Sequence, residues 1–269
     1  MSRFILLLIA LPIVSCGYSP WETEIDCDDY YQGNLQRLKQ IEAATSGQLA
    51  FGVALLNDLH NNLSDIKTAI KHINQRDDVA FAIIMGDLTD QGLAVEFEWA
   101  CKALADLKVP HLYAIGNHDS ISFGKDIFRE NFAPFDYAFR YKNVKFILYN
   151  DNVFEFPEAP DYDFMEEEAA IQGGETRRKT IGVSHSPPDP NEHTEEEATE
   201  LRQFLSKNDF NLTLHGHTSP KYVLDEFGKP HFTSYDINGA KYSMLFVSDV
   251  DELTLQRCTA ATCIDAVLD

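Results

Sequence analysis

Five apolar runs typical of buried strands each end in a short polar segment, and this repeated arrangement limits the folds open to the chain. The segments are Asp58-Leu59-His60, Gly86-Asp87-Leu88-Thr89-Asp90, Gly116-Asn117-His118-Asp119, Val183-Ser184-His185 and Gly216-His217-Thr218-Ser219. Any one of them alone would be read as a turn, a helix cap or a surface histidine. Five in succession predict a cation-binding edge of a sheet, because carboxylate oxygens and imidazole nitrogens are common ligands of divalent metals.

The residue types fit a centre that holds two divalent cations. Two such cations, about 3.5–4 Å apart, can activate a water and bind the phosphoryl oxygens of an ester. Asp87 is placed to bridge them, and Gly86 lets the backbone turn sharply before it. Asp58 and His60 are two positions apart, so an extended chain presents both to one side. The pattern therefore predicts hydrolysis of a phosphate ester by a metal-activated water.

Taken together, the five segments resemble the calcineurin-like metallophosphoesterase superfamily, from about Leu49 to Val250. The resemblance implies two divalent ions, of Mn, Fe, Zn or Co. It implies that the first metal binds Asp58, His60 and Asp87. For the second metal it implies Asp87, Asn117, His185 and His217. His118 then resembles the proton donor to the leaving group, and the neighbouring Asp119 is expected to orient its imidazole.

One position departs from the family pattern. Ser219 stands where the family has its last histidine, so the first metal loses a protein ligand. A neutral hydroxyl is a poor ligand, and we expect water to complete that shell and to weaken the site. His215 and His231 lie nearby in the sequence, but neither has the expected spacing.

Strands and helices alternate along the first four-fifths of the chain. Strands are predicted at 50–56, 80–85, 111–115, 144–149, 180–184 and 211–214, and helices at 64–74, 92–108 and 195–206. Beyond 214 only strands are predicted, at 221–225, 230–235, 242–248 and 252–258. The fold class is therefore α/β. The resemblance implies a two-sheet β-sandwich flanked by helices, a four-layer α/β/β/α arrangement.

The first residues have the pattern of an export signal. Arg3 precedes an apolar run that ends near Val14 and is shorter than the roughly 20 residues of a membrane span. The segment Ile13-Val14-Ser15-Cys16 resembles a bacterial lipobox, which implies cleavage before Cys16 and a lipid anchor on it. We therefore predict a signal peptide over 1–15, a tether with a short helix over 16–48, and the phosphoesterase domain over 49–269. The expected location is outside the cytoplasm on a bacterial membrane, with the outer membrane as one fate.

The charge and the cysteines bear on the partners. A net charge of −21 disfavours binding of duplex DNA or of anionic membrane surfaces, so the expected partner is a small phosphate ester. Cys258 and Cys263 are close enough in sequence to close a small disulfide loop in an oxidising compartment. Cys27 and Cys101 can pair, or Cys101 can simply be buried in a helix.

Two functional hypotheses follow. The first is a lipid-anchored metallophosphoesterase acting on mono- or diesters. A protein phosphatase is less favoured, because Gln91 stands where that branch has arginine. The second is a non-catalytic lipoprotein that binds a phosphate ligand through metal, a role favoured by the loss at Ser219.

Overall fold

Two six-stranded β-sheets and six α-helices make up the part of the chain that the computed structural model describes, residues 22–27, 30–171, 179–250 and 252–269. The helices are α1 (Tyr30–Ala44), α2 (Leu63–Ile73), α3 (Ala94–Leu104), α4 (Gly124–Asn131), α5 (Tyr162–Ala169) and α6 (Glu195–Lys207). The strands are β1 (Phe51–Leu56), β2 (Val79–Met85), β3 (His111–Ala114), β4 (Tyr137–Tyr141), β5 (Val144–Leu148), β6 (Lys179–Val183), β7 (Leu212–His215), β8 (Lys221–Leu224), β9 (Pro230–Thr233), β10 (Tyr242–Val247), β11 (Leu253–Cys258) and β12 (Cys263–Asp265). The predicted α/β fold with two sheets is confirmed.

Alternating side chains explain the layered packing. Phe81 of β2 in the first sheet packs against Phe139 and Phe146 of the second, with ring centroids 5.6 and 5.4 Å apart. Ile147, next to Phe146 on β5, belongs instead to a separate apolar cluster with Met165 of α5. Successive strand residues face opposite sides of a sheet, so β5 contributes to the inter-sheet core and to the layer beneath the helices.

Parallel strands bring the polar segments to one edge. The first sheet has the order β12-β11-β10-β1-β2-β3, and β1, β2 and β3 run parallel. The second has the order β4-β5-β6-β7-β9-β8, and β5, β6, β7 and β9 run parallel. Ligand sites in open α/β sheets lie beyond the carboxyl ends of the strands. The loops after β1, β2, β3, β6 and β7 therefore converge there.

Helix starts follow local capping chemistry. Thr194 and Glu197 form a capping box at the start of α6, with the Thr194 hydroxyl accepting from the backbone N–H of Glu197. Helix α2 begins one residue earlier than expected. Its cap is Asn62, which accepts from the backbone N–H of Asp65, and Ser64 lies inside the first turn.

Four short elements were not predicted: α4, α5, β4 and β12. Strand β4 pairs with β5 through a two-residue turn in which Lys142 and Asn143 both have positive φ, the geometry of a tight hairpin. Strand β12 has three residues and pairs with β11 across the Cys258–Cys263 disulfide. Elements of this length carry too few apolar positions to show a period.

Among the described residues there are two disulfides, Cys27–Cys101 and Cys258–Cys263. Cys101 is thus both buried in α3 and paired. In the described ranges, no helix has the length and apolar character that a bilayer crossing requires. The predicted signal peptide and Cys16 lie outside the described residues, so both stay predictions.

Candidate metal centre

The backbone turns abruptly where the strands end. Asp58, Asp87 and His217 each lie two residues beyond a strand and have φ of 49°, 53° and 64°. Residues other than glycine seldom adopt such left-handed conformations, which cost about 1–3 kcal/mol and cluster at functional sites. Gly86, with φ of 92°, makes the turn into Asp87. These turns point functional side chains into one cavity.

Asp87 lies at the centre of that cavity. Its side chain is almost fully buried. One oxygen, Oδ2, lies 3.3 Å from His60 Nε2 and 3.3 Å from His185 Nε2. The other, Oδ1, accepts a hydrogen bond of 3.0 Å from the backbone N–H of His118. Asp87 thus lies between imidazoles that follow strands of both sheets.

Two imidazoles of the cavity, those of His185 and His217, each bond an oxygen acceptor through one ring nitrogen. His185 donates from Nδ1 to the carbonyl oxygen of Met85 at 2.8 Å. Because a carbonyl can only accept, Nδ1 keeps its proton when His185 is neutral, and the lone pair is then on Nε2, which faces Asp87. His217 donates from Nε2 to Glu192 Oε1 at 2.6 Å, so its Nδ1 lone pair faces His185 Nε2 at 3.1 Å.

The other two imidazoles, those of His60 and His118, are both held by a single residue, Asp90. Its carboxylate lies 3.0 Å from His60 Nδ1, and its backbone carbonyl accepts from His118 Nδ1 at 2.7 Å. In both rings the proton that Asp90 accepts is on Nδ1, so Nε2 faces the cavity and carries the lone pair when the ring is neutral. Asp90 therefore supports two histidines of the cavity and is not the cap of α3, which begins later, at Ala94.

The six side chains predicted to bind metal lie in one cluster. Among the described residues there are two groups of three side chains, and within each group all the ligand atoms lie within 4.8 Å of one another. The groups are His60, Asp87 and His118, and Asp87, His185 and His217. Asn117 Oδ1 lies 3.1 Å from His185 Nε2, and Asp58 Oδ1 lies 3.8 Å from His60 Nε2. The mixed oxygen and imidazole donors fit two divalent cations that share Asp87.

Without a cation, protons balance the negative charge. A hydrogen bond with Asp87 raises the pKa of His60 to about 9, against the effect of burial. Burial favours neutral His185, but the Asp87 carboxylate outweighs it and raises the pKa of His185 to about 10. Burial also opposes ionisation of Asp87, yet His185 and His60 hold its pKa well below the usual range. Burial raises the pKa of Asp58. Metal ligation needs neutral imidazoles, so a bound cation would displace these protons.

Asp119 has a different role from the one expected. It is fully buried and accepts from the backbone N–H of Thr89, from the Thr89 hydroxyl and from the N–H of Gly116, at 3.0, 3.1 and 3.1 Å. It therefore joins two of the loops, and the bond that orients His118 comes from Asp90 instead. Burial, and then the charge of Asp87, raise the pKa of Asp119 to about 7.

Neither nearby histidine replaces the residue lost at Ser219. His215 is buried, with Nδ1 2.9 Å from Ser184 Oγ and Nε2 2.7 Å from Thr213 Oγ1. His231 lies 3.0 Å from the Asp225 carboxylate through Nε2. Both belong to a hydrogen-bonded row inside the second sheet. Ser219 itself lies on the rim of the cavity and is exposed.

The sequence interpretation missed two acidic residues near the centre. Glu192 supports His217, and Asp236 lines the same cavity as Asp58 and Ser219. Both lie in loops without a repeated pattern. The remaining signal was weak: Glu192 stands two residues before the Thr194 cap, and Asp236 follows a predicted strand.

Comparisons with solved structures show the same fold. A purple acid phosphatase from yellow lupin aligns with a TM-score of 0.61 and 15% identity, over 80% of this chain and 53% of that one. GAP50, the anchor in the inner membrane complex of Plasmodium, aligns at 0.58 and 12%, over 82% and 89%. A putative 5'-nucleotidase from Staphylococcus aureus aligns at 0.52 and 13%, over 82% and 55%. The chain thus spans about half the length of the phosphatase and of the putative nucleotidase.

Sequence comparison identifies the family. A search among curated protein sequences finds no match. The model of the family described as calcineurin-like phosphoesterase matches residues 51–220, more than half of the chain. That match begins at β1 and ends just past Ser219, so it covers all five segments at the centre. The chain therefore belongs to the calcineurin-like phosphoesterase family.

Proposed function

We propose that this protein hydrolyses small phosphate esters with a water activated by two divalent cations at the centre around Asp87. The observation that carries the proposal is the orientation of four imidazoles, His60, His118, His185 and His217. Each has one ring nitrogen bonded to an oxygen acceptor, and the two candidate metal groups use these four rings with Asp87. His60, His185 and His217 are thereby prearranged as ligands, as a metal-activated water requires, and His118 is held beside them.

The proposed ligand sets follow the two sheets. Asp58, His60 and Asp87 would hold the first cation. Asp87, Asn117, His185 and His217 would hold the second. When bound, the pair of cations would lower the pKa of water and offset charge on the phosphoryl oxygens.

His118 is the proposed proton donor to the leaving oxygen. Its Nδ1 is fixed by the Asp90 carbonyl, and its ring meets that of His60 edge to face with centroids 4.8 Å apart. The ring therefore presents Nε2 at the edge of the cavity. General acid catalysis from this position would contribute about 10²–10⁴-fold in rate.

Charge supports dependence on metal. The described lining of the cavity contains Asp58, Asp87 and Asp236 and no lysine or arginine. The whole chain carries a net charge of −21. An anionic ester would be repelled unless cations offset the carboxylates. The negative charge of the chain also disfavours duplex nucleic acid, so the proposed substrate is small.

We further propose that the protein is exported and lipid-anchored at Cys16, on the outer side of a bacterial membrane. The lipobox-like segment motivates this, although it lies outside the described residues. The Cys27–Cys101 and Cys258–Cys263 disulfides support an oxidising compartment. Mass spectrometry of the native protein should find a lipid-modified Cys16 as the first residue, and a mature terminus elsewhere would refute the anchor.

A non-catalytic binding protein is the second candidate. Ser219 removes a ligand of the first cation, and a centre with one firm metal would bind a phosphate group without activating a bridging water. The structural likeness to GAP50, described as an anchor, shows that this fold is not confined to proteins named as phosphatases.

A substrate panel separates the candidates. The metal-stripped protein should be reloaded with Mn²⁺, Fe²⁺, Zn²⁺ or Co²⁺ and assayed on matched chromogenic mono- and diesters. We expect turnover that depends on metal, with a preference for one ester class. Tight binding of phosphate with no turnover under any metal would favour the binding protein.

A further inference from the structure

The first cation has one protein ligand fewer than the family pattern provides, unless a residue outside the five segments contributes. Asp58, His60 and Asp87 provide three side chains, and Ser219 provides only an exposed neutral hydroxyl. His215 and His231 are committed to their own hydrogen bonds. A protein ligand in place of the expected water would therefore come from another loop at the same edge of the sheets.

Asp236 lies in such a loop. It follows β9, which pairs in parallel with β7, the strand that leads to Ser219. The loops after both strands therefore leave the same edge. Asp236 and Ser219 line one cavity together with Asp58 and His60.

One oxygen of Asp236 is left without a hydrogen bond. Its Oδ2 accepts from Asn238 Nδ2 at 3.1 Å, and Asn238 Oδ1 in turn accepts from Asn62 Nδ2 at 3.1 Å. Its Oδ1 is buried and, among the described residues, has no hydrogen-bond partner. Lys241 Nζ forms an ion pair with it at 3.8 Å, too long for a hydrogen bond, and the Lys241 and Asp236 side chains are 39% and 44% exposed. The ion pair offsets part of the charge of this oxygen but leaves it without a hydrogen bond, so it remains open to a divalent cation in the cavity.

Other unpartnered atoms of the rim are weaker candidates. The hydroxyl of Thr218 is also buried without a hydrogen-bond partner among the described residues. It is neutral, as is that of Ser219. Hard divalent cations favour carboxylate oxygen, so Asp236 is the better ligand.

We propose that Asp236 supplies the protein ligand of the first cation that Ser219 cannot, an assignment that rests on the proposed metal centre. The first site would then contain Asp58, Asp87 and Asp236 with one imidazole, that of His60. Three carboxylates in place of two shift the preference of a site toward Mn²⁺, since carboxylate ligands suit harder cations than imidazole does. The second site, with two imidazoles, keeps a preference for borderline metals such as Zn²⁺.

Manganese binding to the full chain tests the assignment without using activity. The metal-stripped protein and Asp236→Asn should be titrated with Mn²⁺ by calorimetry, with thermal unfolding as a check on folding. Asp236→Asn keeps the size of the side chain and the bond to Asn238, but it removes the anionic ligand. We expect two sites in the unmodified protein and a loss of at least about tenfold in the affinity of one site in the variant.

Matched variants exclude a general effect of charge. Asp249→Asn removes the same charge from an exposed position after β10, at the opposite edge of the first sheet. Thr218→Val removes the competing hydroxyl while keeping the shape of the side chain. Both should leave the two affinities unchanged. A loss in Thr218→Val without one in Asp236→Asn would overturn the assignment.

Combined variants identify which site is affected. With His60→Ala, which removes a ligand of the first site, Asp236→Asn should cause little further loss. In the His217→Ala background, where the second site is weakened, Asp236→Asn should remove the remaining tight binding. Two unchanged sites in Asp236→Asn would overturn the assignment while leaving the proposed function intact. A protein that binds no divalent cation at all would overturn both.

Discussion

Removal of the Glu192 carboxylate should weaken the second metal site selectively. Glu192 Oε1 accepts from His217 Nε2 at 2.6 Å, and the two side chains are 26% and 16% exposed. This bond fixes the tautomer of His217 and makes its Nδ1 a stronger donor to a cation. Supporting partners of this kind contribute about 10–100-fold in metal affinity, which is about 1.4–2.7 kcal/mol. We therefore expect Glu192→Ala to lower the affinity of the second site by that factor.

The two Glu192 variants should lower the metal affinity by different amounts. Glu192→Gln keeps an oxygen that can accept from His217 but loses the negative charge, so its effect should be smaller than that of Glu192→Ala. Glu195→Gln is the matched control, because Glu195 is three positions along, is 76% exposed and contacts no ligand of the centre. Calorimetric titration of the metal-stripped variants gives the affinities. If Glu192→Ala binds metal as tightly as Glu195→Gln, the reasoning about support of His217 is wrong.

Three further predictions concern other parts of the molecule. His118→Ala should lower turnover by about 10²–10⁴-fold while both metals stay bound, as shown by elemental analysis, and a matching loss of metal would make His118 a ligand instead. Gly216→Ala should destabilise the fold by about 1–3 kcal/mol, since the new Cβ would lie 1.6 Å from Asn57 Oδ1, whereas Gly47→Ala, with open space around it, should be neutral in denaturant unfolding. Burial lowers the pKa of His111 to about 4, so the unfolded chain takes up a proton before the folded one. The contribution of neutral His111 to the free energy of unfolding is fully present above about pH 6.5 and falls by at most about 3 kcal/mol toward pH 4. His111→Phe should flatten this dependence of the unfolding free energy on pH.

The side chains that cluster around Asp87 could be predicted from the sequence, because metal chemistry restricts the residue types. Asp58, Asp87 and His185 follow apolar runs that only buried strands explain, and parallel strands must bring their ends together. Long elements were also predictable, since α6 has an apolar face and a capping box. The short β12 and α5 were missed because a few residues cannot display a period.

Contacts between loops could not be read from the sequence. Asp119 adjoins His118 in the chain, yet its carboxylate bonds Thr89 and Gly116 on the other side of a tight turn. Adjacency in sequence therefore misled the assignment of its role. Asp236 and Glu192 reach the centre from loops whose courses depend on the whole fold. Only the folded chain shows that Glu192 contacts His217 and that Asp236 lines the cavity.

Hydrolysis before and after removal of metal tests the central claim most directly. The purified protein should be stripped with a chelator, reloaded with Mn²⁺ and assayed on chromogenic phosphate mono- and diesters, beside Asp87→Asn treated in the same way. Asp87→Asn replaces the proposed bridging carboxylate with a neutral side chain of the same size. We predict no hydrolysis by the stripped protein, recovery on reloading, and no recovery in Asp87→Asn. Undiminished hydrolysis by protein shown to be metal-free would contradict the account.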